Sequence, residues 1–306
     1  MDTRLIEHIL KISEEKSITK AAEKLYLTQS ALNQQLLHLE QELGTPLFKR
    51  SKVNWGPTKA GEIYLEGARE MLRIKQRTYS RISDLTEGYK GAIKVGMPPS
   101  RGPEIFIHVY PKFHEKYPDV TVIPYEQNVV PMQKQLSAGD LDLGIMTLFE
   151  SQKDENEYQV LYEEEILLAV PEAWDVSAFA IPRRQGLPAL SMEALSDKPM
   201  ILLRKGTTMR TVIDKLFRSR QITPHILFDT ANPSTIMEMV RAGIACGIVA
   251  EFATRKYREG VQYFSYKKPL KWNVAACYPK GTFLNKAMED FVEMVKEYCI
   301  ESGKVK

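Results

Sequence analysis

Residues 17–50 read SITKAAEKLYLTQSALNQQLLHLEQELGTPLFKR, and their order of helix starts and stops decides the fold of the first part of the chain. Ser17 and Thr19 offer capping hydroxyls before Ala21-Ala22-Glu23-Lys24-Leu25. After Leu25-Tyr26-Leu27, Thr28 can cap a further helix, whose inward stripe of Ala31/Leu32, Leu36, Leu39 and Leu43 advances by four, three and four residues. Gly44 stops it. Upstream, Leu5, Ile6, Ile9, Leu10 and Ile12 recur at helical spacing and predict a first helix. Downstream, TPLFKRSKVNWGPTKAG mixes extended residues with a Gly-Pro turn, which predicts a hairpin or wing between Phe48 and Thr58. Three helices and a wing make a winged helix-turn-helix.

From Thr58 to about Tyr89 there is no proline, and Tyr64, Ala68, Met71, Lys75, Thr78, Ile82 and Leu85 alternate steps of four and three. This predicts a long helix with an imperfect coiled-coil seam, interrupted by Lys75 and Thr78. Beyond Gly88 the texture changes: short apolar strands (AIKVGM, VTVIPY, LDLGIM, EILLAV, MILL, CGIVA) alternate with helical stretches, the pattern of an α/β domain with largely parallel sheets. The expected organisation is a DNA-binding-type winged helix over 1–58, a linker helix over 59–89 and an α/β domain over 90–306.

Composition excludes the fibrous and disordered classes, since 43% of the 306 residues are hydrophobic and 26% charged. Net charge is only +3, and residues 1–90 hold 15 Lys and Arg against 12 Asp and Glu, leaving 27 against 27 elsewhere. Any polyanion must therefore be gripped by local placement of charge rather than by a global excess. Cys246, Cys277 and Cys299 form no close pair, which fits a reducing cytoplasm, and no apolar run reaches the roughly 20 residues of a membrane helix. No GxSxG elbow or GxxxxGK[ST] loop is present, and His108 and His114 are six apart, off the spacing of a helical metal pair. The expectation is a cytoplasmic protein that is no enzyme and needs no metal or cofactor.

The stretch quoted above, continued by Thr58-Lys59-Ala60-Gly61, closely resembles the N-terminal domain of LysR-type transcriptional regulators. Ala21-Ala22, Leu25, Gln29, Ala31-Leu32, Leu39-Glu40, Leu43-Gly44, Pro46-Leu47-Phe48, Arg50 and the Thr-Lys-Ala-Gly turn carry the likeness in register. More faintly, KFHEKYPDVTV, LSAGDLDLGI and VRAGIACGIV sit where that family's effector domain has its landmarks, although Ala245 and Ala250 replace a usual glycine and proline. The resemblance implies a multidomain α+β and α/β fold: a winged helix, a dimerising linker helix and a two-lobed, periplasmic-binding-protein-like effector domain. Lobe I would span about 90–162 and 268–306, and lobe II about 163–267. It further implies double-stranded promoter DNA, a small-molecule effector, a dimer or tetramer and contact with RNA polymerase as partners.

Between Lys24 and Lys49 the chain has no lysine or arginine, so the third helix cannot hold DNA by charge. Its outward residues Gln29, Ser30, Asn33, Gln34 and Leu37 instead offer amides, whose paired donor and acceptor match adenine in the major groove. Phosphate binding falls to Lys20 and Lys24, to Lys49, Arg50, Lys52 and Lys59 around the wing, and to Thr28 and Thr58 at helix starts. In the sensor half, the resemblance directs attention to the segments MPPSRG, LDLGIMT and LLRKGTTMR. Ser100, Arg101, Thr147, Arg204, Thr207 and Thr208 are the effector-binding candidates, and two arginines favour an organic acid. Two other readings compete: a redox regulator using a cysteine, and a small-molecule-binding module without specific DNA binding.

Overall fold

Thr28 begins the third helix as its sequence suggests: its Oγ1 accepts the Ala31 N–H at 3.2 Å, and Gly44 ends the helix in the left-handed region at φ 69°. The computed structural model describes residues 3–50, 55–86 and 90–303, and the chain divides into two units, Met1–Gly88 and Tyr89–Lys306. In the first, α1 (Arg4–Glu15), α2 (Ile18–Lys24) and α3 (Gln29–Leu43) precede a hairpin of β1 (Phe48–Arg50) and β2 (Trp55–Pro57), then α4 (Lys59–Thr86). Ile9, Ile12, Leu32 and Leu36 are fully buried, each contributing about 1.5–3 kcal/mol by leaving water. Leu43, the last residue of the anticipated stripe, is 45% exposed.

The wing is tied to this core by several local devices. Phe48 pairs with Pro57 and stacks on Trp55 at 5.1 Å between ring centroids. Thr58 Oγ1 donates to Pro46 O at 2.7 Å and accepts the Gly61 N–H at 3.0 Å, so this threonine caps α4. A Cβ at position 61 would lie 2.0 Å from Leu47 O, which explains why a glycine follows Thr-Lys-Ala.

The seam anticipated on α4 merges two faces. Leu65 and Ala68 are buried in the winged-helix core, with Tyr64 and Leu72 packed against it. Lys75 is not a seam position either: its Nζ donates to Thr3 Oγ1 at 2.6 Å and to Glu7 Oε1 at 2.9 Å on α1. The large apolar residues left outward are Ile63, Met71, Ile74, Tyr79, Ile82 and Leu85, all more than 40% exposed. Met71, Ile82 and Leu85 of the anticipated seam belong to this outward row, whereas Tyr64 and Ala68 turn to the winged-helix core.

In the second unit, β3 (Gly91–Met97), α5 (Gly102–Lys116), β4 (Val120–Glu126), α6 (Val129–Ala138) and β5 (Leu143–Leu148) precede the long strand β6 (Glu157–Pro171). Then come β7 (Pro199–Leu203), α7 (Thr208–Ser219), β8 (His225–Thr230), α8 (Pro233–Arg241), β9 (Cys246–Ala250), β10 (Val261–Phe264), β11 (Leu270–Tyr278) and α9 (Lys286–Gly303). Among the described residues the strands form one sheet in the order β4-β3-β5-β11-β6-β9-β7-β8, with β10 also on β6.

The sheet is mixed rather than largely parallel. Both ends are parallel, but β11 runs antiparallel to β5 and β6, and β6 antiparallel to β9 and β10. The long strands β6 and β11 cross from one lobe to the other, and each lobe packs its own helices. α5 and α9 cover one core with Phe113 and Phe291, while α7 covers another with Ile213 and Phe217. Among the described residues no helix is long and apolar enough to cross a membrane.

Candidate nucleic-acid interface and small-molecule cleft

Once Leu32, Leu36 and Leu39 turn inward, helical geometry leaves Gln29, Ser30 and Gln34 exposed on the opposite side of α3, with Asn33 half-buried. Thr28 Oγ1 also shares a hydrogen bond with Ser30 Oγ at 3.1 Å. Lys20 and Lys49 are exposed. Lys24 and Lys59 lie 2.9 Å and 3.0 Å from Glu15 and Glu62 respectively. Such solvent-exposed pairs are worth about 0–1 kcal/mol, so a phosphate can replace either carboxylate at little cost. Lys52 lies outside the described residues, as does the side chain of Arg50.

Two further residues matter here to which the sequence reading assigned no role. Tyr26, between α2 and α3, is 96% exposed and adopts φ 56°, a left-handed conformation uncommon for an aromatic residue. Its only sequence signal is position, an aromatic between Leu25 and Leu27, which both pack against the core. Glu40 is the other. It lies on the buried side of α3, where Oε1 accepts the Leu47 N–H at 2.7 Å and the Phe48 N–H at 3.4 Å, joining α3 to the start of the wing.

In the second unit a cleft of about 150 Å³ opens where strand ends and helix starts of the two lobes meet. Ser100 and Arg101, between β3 and α5, and Thr147 on β5 line it from one side. Arg204, Thr207 and Thr208 do not, although their neighbours Leu203 and Met209 do. Arg204 is exposed, and Thr207 caps α7 by accepting the Arg210 N–H at 3.3 Å. Asn232, Ser234, Phe252 and Trp272 complete the wall and went unnoticed in the sequence. Asn-Pro-Ser after a strand does signal a helix start, and Asn232 caps α8, but nothing local says that this start faces Ser100.

Arg101 does not face the cleft as a free cation. Its Nη2 is 2.6 Å from both oxygens of Glu164 on β6, and its guanidinium lies 4.3 Å from the centre of the Phe252 ring. Glu164 also accepts the Phe252 N–H at 2.7 Å and Trp272 Nε1–H at 2.8 Å. The Arg255 guanidinium also lies over the Phe252 ring, 4.9 Å from its centre, and burial, followed by the charge of Arg101, lowers its pKa. Nearby Glu251 is pushed up by burial, with Glu164 and Glu165 adding to the effect.

All three cysteines are buried. Burial pushes the thiols of Cys246 and Cys277 up to about 12 and that of Cys299 to about 11. His108 stacks on Tyr298 and His114 on Tyr110.

Comparison with known proteins agrees with this division. Residues 3–62 match the family model described as "Bacterial regulatory helix-turn-helix protein, lysR family", and residues 86–300 match "LysR substrate binding domain". The HTH-type transcriptional regulator YwbI of Bacillus subtilis is 28% identical over 99% of this chain and 99% of its own. The DNA-binding transcriptional dual regulator OxyR of Escherichia coli is 25% identical over 97% and 95%. Among solved structures, full-length OxyR from Pseudomonas aeruginosa has the same fold at a TM-score of 0.71 and 22% identity, covering 97% of this chain and 98% of that one. Full-length CbnR in complex with its target DNA gives 0.55 and 21%, covering 97% and 99%.

Proposed function

The chain belongs to the LysR family of DNA-binding transcriptional regulators, and from that premise we propose that it reads promoter DNA with the uncharged amide face of α3 while phosphates are gripped elsewhere. The observation that carries this reading is the row Gln29, Ser30 and Gln34, exposed on a helix that commits Leu32, Leu36 and Leu39 to the core. Amides in the major groove favour adenine. Lys20, Lys24, Lys49, Arg50, Lys52 and Lys59 supply the salt-dependent grip, and Thr28 and Thr58 hold the helix starts that border it.

Effector binding in the cleft shifts the population between lobe arrangements, and the paired DNA-binding heads respond with altered spacing, bending or polymerase contact. Self-association into a dimer or tetramer through α4 is supported by the outward apolar row from Ile63 to Leu85, which water disfavours. The regulator acts in the cytoplasm, where its DNA is.

Gel-shift titration on the DNA upstream of the chain's own gene tests the reading. Gln34→Ala should relax the preference for A·T pairs by about 1–3 kcal/mol. Lys49→Ala should weaken all sequences alike and reduce the salt slope by about one. Intact specificity in Gln34→Ala would sink the amide-reading account, and no retardation of the wild type at low salt would favour a binding module without specific DNA contact.

A further inference from the structure

Among the described residues, the charged side chains on the cleft wall are Arg101, Glu104 and Lys256. Lys256 Nζ sits 2.9 Å from Glu104 Oε2 at the rim. Arg101, 7% exposed, is bound by Glu164, which is 2% exposed and stands just behind the wall. Each charge thus meets its opposite within the protein.

At the helix starts beside the cleft, several of the groups that would attract an anion are also committed or missing. Gly102 N–H donates to Pro98 O at 2.7 Å and Ser234 N–H to Asn232 Oδ1 at 3.0 Å, while Pro103 and Pro233 have no N–H to give. For a ligand the wall keeps the hydroxyl residues Ser100, Thr147, Ser234 and Tyr257, set among Met209, Met237 and Ile248. A space of about 150 Å³ matches that of an apolar cavity known to hold benzene.

We infer that the cleft takes an uncharged effector of about one aromatic ring, carrying an amide or hydroxyl group, and that Glu164 is the positioning residue enforcing this choice by holding the charge of Arg101 out of the ligand's reach. The inference rests on the reading of this cleft as the effector site. It replaces the organic acid suggested by the arginines in the sequence, because one of those arginines is neutralised and the other stands off the wall. A carboxylate entering the native cleft would lose its hydration for no buried cation, since Arg101 is held by Glu164 and Lys256 lies in solvent beside Glu104, whereas an amide would lose less.

Isothermal titration of the full-length chain with benzamide and benzoate, two probes of equal shape, tests this. The wild type should bind benzamide about tenfold or more tightly than benzoate. In Glu164→Gln, benzoate should gain about 10- to 100-fold as the guanidinium becomes available, with benzamide little changed. The double variant Arg101→Gln/Glu164→Gln should lose that gain, and Ser234→Trp, on the cleft wall, should abolish binding of both probes.

A wild type that prefers benzoate, or that binds no benzamide at millimolar concentration, overturns the inference even if Glu164→Gln fails to fold. A folded Glu164→Gln without the benzoate gain overturns it too. If benzamide binding is lost in Ser234→Trp in that case, the cleft reading itself survives. Benzamide binding untouched by Ser234→Trp overturns both.

Discussion

Replacing Glu40 with alanine removes the acceptor that two backbone donors share at the junction of α3 and the wing. The carboxylate is 8% exposed, so water does not readily take its place. The Leu47 N–H, at 2.7 Å, carries most of the effect, and the Phe48 N–H, at 3.4 Å, adds little. A buried donor left without a partner costs about 1–3 kcal/mol, or roughly a 5- to 150-fold increase in the local opening equilibrium.

Hydrogen exchange followed by mass spectrometry on the full chain reads this directly in peptides spanning residues 44–50. Glu40→Ala should speed their exchange by that factor, whereas Glu40→Gln, which keeps a carbonyl acceptor, should show a smaller increase. Because Lys49 and Arg50 sit on the strand that Leu47 and Phe48 lead into, the alanine variant should also weaken binding to all DNA sequences without changing base preference. Exchange in Glu40→Ala no faster than in the wild type would refute the reasoning, since it would mean that the bond to Leu47 holds nothing in place.

Other outcomes follow from individual contacts. Burial opposes ionisation of Asp290, but hydrogen bonds from Lys116, Tyr117 and Lys286 outweigh it and lower its pKa to about 2. A carboxylate lowered on folding gives stability that is complete above the unfolded value and is lost as pH falls through the folded one. Asp290→Asn should therefore lower stability at neutral pH and flatten the loss between about pH 4 and pH 2 in acid titrations followed by circular dichroism. Thiols raised from 9.0 to about 12 hold about a thousandfold less thiolate near neutral pH, so Cys246 and Cys277 should react with a disulfide reagent far more slowly in the native than in the denatured chain. Rapid native reaction at any of the three cysteines would restore the redox reading. Lys75→Ala and Glu7→Ala in a double-mutant cycle should show a coupling of about 0.2–1 kcal/mol, and a coupling of zero would contradict the tether drawn between α1 and α4.

Local signals were legible where a residue's role depends on neighbours within one or two turns. The Thr28 cap, the Gly44 stop and the Leu32–Leu36–Leu39 stripe all appear in the structure because helix geometry alone relates them. Thr58 was legible as a helix start, but its hydrogen bond to Pro46 O, which ties that start to the wing, emerged only from the structure. On α4 the heptad reading joined two faces, because a 3.5-residue pattern cannot tell a face that packs on its own domain from one left outward. Tyr64 and Ala68 had the right spacing and the wrong neighbours.

The cleft shows the same boundary more sharply. Ser100, Arg101 and Thr147 follow or end strands, and that is a property of position along the chain. That Asn232 and Ser234 face them, and that Glu164 cancels Arg101 from 63 residues away, depends on β6 and β11 crossing between the lobes. The chain alone carried the winged helix, the polar face of α3 and the alternation of strands and helices, written in short-range periodicity and capping, while the family was legible through the resemblance of its motifs. Only the tertiary structure decided which arginine is a free charge, because a side chain's electrostatic character depends on what the fold brings within a few ångströms of it, and that distance has no counterpart in sequence spacing.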